Sequence, residues 1–196
     1  ALKAVDFAGT VSLSNCSGSV IRFPGSAETD PALVLTNGHC LETGFPAPGE
    51  VVVDQSSSRS FGLLNSSGSR VATLRASKVA YSTMTDTDVT IYQLTRTYAQ
   101  IKSSYGISAL TVSDTHPVAG TAIKVVSGYW KRIYSCNIDG FVYRLKEGDW
   151  TWKTPSATPP PATPSAAPPD RPSSTPPPAR SSPSTTPATR TASAAP

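Results

Sequence analysis

Few side chains in this sequence have the chemistry to do more than pack. There are two histidines, His39 and His116, and three cysteines, Cys16, Cys40 and Cys136. His39 closes the stretch Val34-Leu35-Thr36-Asn37-Gly38-His39-Cys40, in which an apolar run gives way to a small polar turn and then to the histidine and a cysteine. An imidazole placed there can serve as a general base, ligate a metal, or fill a structural position. Two aspartates lie in Thr85-Asp86-Thr87-Asp88-Val89-Thr90-Ile91-Tyr92, where an aspartate opening a strand is ordinarily a turn or cap residue. A zinc site from Cys16, Cys40, Cys136 and a histidine is the competing idea. No two of these cysteines form a C-x2-C pair, so no metal site is expected. An odd cysteine number leaves one thiol over; Cys16 and Cys40 could pair, and a disulfide would imply an oxidising compartment. His116 precedes Pro117 and reads as a solvated loop histidine, and Asp86 reads as a turn residue.

The elements around these residues read as short strands. Gly9-Thr10-Val11-Ser12-Leu13-Ser14 alternates small or polar with apolar residues, as a half-buried strand does. Further strands are expected at 16–21, 32–35, 50–53, 60–64, 70–74 and 77–82, divided by Gly, Asn, Ser and Pro clusters. Val89 and Ile91 alternate with Thr90 and Tyr92, a strand opened by Asp88. Residues 98–115 read as a connection, and 121–128, 133–137, 140–146 and 149–152 as later strands. Many short strands with frequent turn signals indicate an all-β barrel or sandwich.

Composition divides the chain. After Lys153 there is no Val, Ile, Leu, Met, Phe, Tyr or Trp, and 14 of the 19 prolines lie there. Such a segment cannot bury enough apolar surface to offset its ordering entropy, so the foldable part is residues 1–153. The net charge is +4. Its basic residues, among them Lys3, Arg22, Arg59, Arg70, Arg75 and Lys78, are scattered without a basic cluster, which argues against a nucleic-acid face. No apolar run approaches the roughly 18 residues of a membrane span, so no membrane partner is expected.

The His39 stretch resembles the Thr-Ala-Ala-His-Cys segment of trypsin-like (chymotrypsin-fold) serine proteases, in the variant Thr36-Asn37-Gly38-His39-Cys40. Cys16-Ser17-Gly18-Ser19-Val20-Ile21 resembles the Cys-Gly-Gly-Ser-apolar strand that precedes it, and Asp88-Val89-Thr90-Ile91 the family's aspartate segment. The resemblance covers residues 8–153. It implies an all-β, chymotrypsin-like double six-stranded barrel, the first complete and the second incomplete. The expected organisation is a first barrel over 1–100 carrying His39 and Asp88, a linker over 101–117, a partial second barrel over 118–153 and a disordered Pro/Ser/Thr/Ala-rich tail over 154–196. It further implies a Cys16–Cys40 disulfide, His39 as catalytic base and Asp88 as the group that orients it. It implies a secreted, extracellular, monomeric serine-type endopeptidase acting on protein or peptide substrates, with no cofactor.

The nucleophile is not found. The family's Gly-Asp-Ser-Gly-Gly, or a variant such as Gly-x-Ser-Gly-Ser, turns the backbone so that N–H groups meet the oxyanion. No such segment follows Asp88, and the tail has serines but no glycine. Ser17-Gly18-Ser19 belongs to the strand before the histidine, and Ser67-Gly68-Ser69 is a polar hairpin turn. Ser135-Cys136-Asn137 lacks flanking glycines, and Cys136 reads as an orphaned disulfide partner. Two accounts are expected for the abrupt change after Lys153: a truncated or frame-shifted product, or a polyproline-style extracellular stalk on an inactive protease-like binding module.

Overall fold

A computed structural model describes residues 5–153; the Pro-rich tail expected to be disordered lies outside the described residues. The chain begins with β1 (Thr10–Ser12), β2 (Ser17–Arg22), β3 (Pro31–Thr36), β4 (Val51–Ser56), β5 (Ser60–Leu64), β6 (Arg70–Thr83) and β7 (Val89–Thr97). Six of them close an antiparallel barrel in the order β1-β5-β6-β7-β3-β2, with β2 pairing back onto β1. The fold is all-β, and the closed barrel is compatible with a chymotrypsin-like architecture.

Alternation builds the barrel interior. Ala32 and Val34 of β3, Tyr92 and Leu94 of β7 and Leu74 of β6 are buried while their sequence neighbours are exposed or half-covered, and in β5 residues 61–64 are all buried. Phe61 and Tyr92 meet edge-to-face with centroids 5.1 Å apart. Closure of the barrel leaves no free edge on these six strands.

β6 differs from the sequence reading, which divided it into two strands. It runs unbroken for 14 residues, with β5 paired along residues 70–75 and β4 along residues 78–83 of the same edge. Its pairing with β7 slips between Ala76 and Lys78 and again between Val79 and Tyr81. Such bulges bend a strand without ending it, which is how one strand serves two partners in succession.

The stretch read as a connection holds an eight-residue helix, α1 (Tyr98–Tyr105). Thr97 and Gln100 form a capping box, and Gly106 ends the helix at φ 66°. Tyr98, Ile101 and Ile107 are buried in the barrel's core cluster, so this segment packs on the barrel core. β8 (Leu110–Thr111) then adds to β2 in parallel. A helix this short shows no sustained apolar period, so only its caps could have revealed it.

The remaining strands are β9 (Ala122–Ser127), β10 (Arg132–Asn137), β11 (Arg144–Glu147) and β12 (Trp150–Lys153). Among the described residues they form two separate antiparallel ribbons, β9–β10 and β11–β12. The first leans on the barrel through Ser17, whose hydroxyl lies 3.2 Å from the Ser127 hydroxyl and accepts from the Tyr129 N–H at 2.8 Å. The second is fastened more firmly. Asp86 N–H donates to the Thr151 carbonyl at 3.0 Å, and Lys153 N–H to the Asp86 carbonyl at 2.9 Å. Trp152 Nε1 donates to the Met84 carbonyl and Trp150 Nε1 to the Pro46 carbonyl, each at 3.0 Å. Asp86, which reads as a turn residue, does sit at φ 63°, but it is also the bracket that holds β12. No described helix is long and apolar enough to cross a membrane.

Candidate active site

The antiparallel pairing of β3 with β7 brings His39 and Asp88 together. Thr36, the last residue of β3, is opposite Thr90 near the start of β7. A residue just past the end of β3 therefore meets one just before the start of β7. The Thr36 hydroxyl donates to the Ser17 carbonyl at 2.8 Å and ties that end of β3 to β2. The chain then makes one 3-10 turn, Gly38–Cys40.

Both oxygens of Asp88 are engaged by this turn. The His39 backbone N–H donates to Oδ1 at 2.9 Å, and His39 Nδ1 lies 2.7 Å from Oδ2. The Asn37 side-chain amide donates to Oδ2 at 3.2 Å. An ionised carboxylate can only accept, so Nδ1 carries a proton, and in the neutral imidazole the Nε2 lone pair is left free to accept. The Asp88 side chain is 8 % exposed and that of His39 28 %, so the carboxylate is buried and the imidazole reachable.

Close approach is possible because residue 38 has no side chain. A Cβ there would lie 2.2 Å from the Thr83 carbonyl oxygen and 2.9 Å from Asp88 Oδ1. On the far side, Cys40 is bridged to Cys16 with Cα atoms 6.1 Å apart. The Cys16 and Cys40 sulfurs and a His39 nitrogen fall within 4.8 Å of one another, but both sulfurs are consumed by the disulfide and are not available as thiolate ligands. The Cys40 carbonyl accepts from the buried Arg59 guanidinium, which also reaches the Tyr92 hydroxyl at 2.9 Å and Asn15 Oδ1 at 2.5 Å. Phe45 stands over the histidine, ring centroids 6.1 Å apart, and touches Trp150 of β12 at 5.8 Å.

Burial pushes the Asp88 carboxyl upward. The His39 ring and backbone hydrogen bonds, the imidazole charge and the Asn37 amide outweigh this and hold it below the ordinary carboxylate value. The unfolded chain therefore takes up this proton near the usual value of about 3.9, and the folded chain only at lower pH. The stabilisation is complete above that range and is lost as pH falls through the folded value. Asp88→Asn is expected to flatten the decline of stability between about pH 5 and pH 2, measured by denaturant titration across that window. An equally steep decline in the variant would show that Asp88 is not a source of acid lability.

The other sequence candidates are elsewhere. His116 Nδ1 meets the Pro117 carbonyl at 2.7 Å, and its ring lies against Phe141. Cys136 is a free, exposed thiol on β10. The sequence holds no separate sign of the contacts that Asn37, Gly38 and Arg59 make. Asn-Gly is ordinary turn chemistry, and a single arginine between serines gives no sign of burial. No family model, no curated protein and no solved structure matches this chain.

Proposed function

We propose that the chain is a relative of the trypsin-like serine endopeptidases, a secreted protein whose substrates are proteins or peptides. The observation that carries this reading is the His39–Asp88 pair: Nδ1 to Oδ2 at 2.7 Å, with the carboxylate buried and the imidazole reachable. In peptide hydrolysis His39 Nε2 takes the proton of an attacking hydroxyl and returns it to the leaving amine. Asp88 keeps the imidazole in the required tautomer and stabilises the imidazolium that forms. The disulfide beside His39 agrees with an extracellular setting.

A second reading is an inactive protease-like binding module. It is favoured by the serines after Asp88. Among the five glycines that follow, only Gly128 adjoins a serine, and Val125 stands where Gly-x-Ser-Gly needs its first glycine. The two readings separate in one experiment: the full chain is treated with a fluorophosphonate probe and the adduct mapped by peptide mass. Labelling at one serine, abolished by His39→Ala, is the result expected of a peptidase and names the nucleophile. A folded chain that takes up no label overturns the peptidase reading.

A further inference from the structure

We infer that Asn37 is a positioning residue, whose side-chain amide holds the Asp88 carboxylate so that the base-and-orienter pair is supported from one turn of the first barrel. The inference rests on the proposed peptidase reading for its catalytic meaning, but not for its geometry. Asn37 occupies the N-cap of the Gly38–Cys40 turn, with extended backbone at φ −79° and ψ 156°. An asparagine at that position ordinarily spends its side chain on the exposed N–H groups of its own helix. Here Oδ1 accepts no capping bond, and the side chain is held through Nδ2, which donates to Asp88 Oδ2. The residue is only 7 % exposed, so its amide has little access to water as an alternative partner.

The consequence is a carboxylate with donors on both oxygens, all from Asn37 and His39. His39 N–H fixes Oδ1, and the Asn37 amide and the imidazole share Oδ2. Without Asn37, Oδ2 would keep the imidazole as its only partner from that turn. The carboxylate could then tilt and carry the ring with it. Among the described residues no residue of β9–β12 donates to Asp88, so its hydrogen bonds come from the first barrel alone, while β12 reaches the histidine only through the Phe45–Trp150 ring contact. The titratable groups around Asp88 are His39 on the facing turn and Asp86 on its own segment, which is paired with Lys153 of β12 at 2.8 Å.

The test compares Asn37→Ser and Asn37→Asp with the parent chain. Serine keeps a good N-cap but is too short to reach Asp88; aspartate keeps the shape but cannot donate. The readouts are the carboxyl carbon titration of Asp88 and the low-field Nδ1 proton of His39, both by NMR, with the melting temperature recorded alongside. In Asn37→Ser the acid midpoint of Asp88 is expected to rise by about one pH unit, a tenfold gain in proton affinity, and the melting temperature at neutral pH to fall with it by about 5 °C. Asn37→Asp is expected to raise it further, because a second carboxylate faces the first. An unchanged Asp88 midpoint in Asn37→Ser overturns the inference, and a fall in melting temperature alone would assign Asn37 a purely structural part. Absence of fluorophosphonate labelling in the parent chain, with the midpoint shifted in the variants, sinks the peptidase reading and leaves the positioning role standing.

Discussion

Gly38→Ala is expected to lower stability by at least about 3 kcal/mol and to remove the low-field His39 proton signal. The added Cβ would sit 2.2 Å from the Thr83 carbonyl oxygen and 2.9 Å from both Asp88 Oδ1 and Met84 Cγ. The methionine can move aside, but the carbonyl belongs to β6, which is paired with β4 and β7 at Thr83 and cannot give way alone. Overpacking of this kind costs about 1–3 kcal/mol where neighbours adjust, and here the main neighbour is backbone. In a chain of this size 3 kcal/mol corresponds to a melting temperature lowered by about 10 °C. Thermal unfolding measures the first effect and proton NMR at low temperature the second. A variant that melts within a degree or two of the parent and keeps the signal would show that the turn can move away from β6.

Reduction of the Cys16–Cys40 bridge should have a similar thermodynamic size but a different signature. The bridge spans 24 residues, a loop whose closure contributes about 3 kcal/mol, chiefly by restricting the unfolded chain. The melting temperature is therefore expected to fall by about 10 °C on reduction. The folded site should survive in the cold. Arg59 still holds the Cys40 carbonyl, and Asp88 still accepts from His39 and Asn37. The low-field His39 proton should persist at low temperature and vanish with the fold on heating. Loss of the signal on reduction at low temperature would mean that the bridge, and not the Asp88 bonds, fixes the turn.

These two perturbations separate what orders the site from what stabilises the barrel. Gly38 acts on the folded state, by allowing the turn to lie against β6 and Asp88. The disulfide acts mainly on the unfolded state. Arg59 belongs to the first group. It is a buried cation with neutral acceptors, tied to β7 through the Tyr92 hydroxyl and to the His39 turn through Cys40.

Much of this was legible in the sequence, and for an identifiable reason. Alternation of apolar and polar residues located β1 and β7, and short apolar runs bounded by Gly, Asn, Ser and Pro clusters located β3 and β5. The small polar turn after Leu35 marked His39, and the apolar alternation from Val89 distinguished Asp88 from Asp86. Composition alone separated residues 154–196 from the foldable part. What the linear pattern could not reveal depended on contacts between distant residues. β6 runs unbroken because β5 and β4 pair with it in succession, and α1 forms where its caps and packing on the barrel core coincide. Asn37 reads as turn chemistry until Asp88, 51 residues away, supplies an acceptor for its side-chain amide. Local preference chose the residue types and the strand faces. Register between β3 and β7 decided which of those residues meet, because it turns a separation of 49 residues into a hydrogen bond of 2.7 Å.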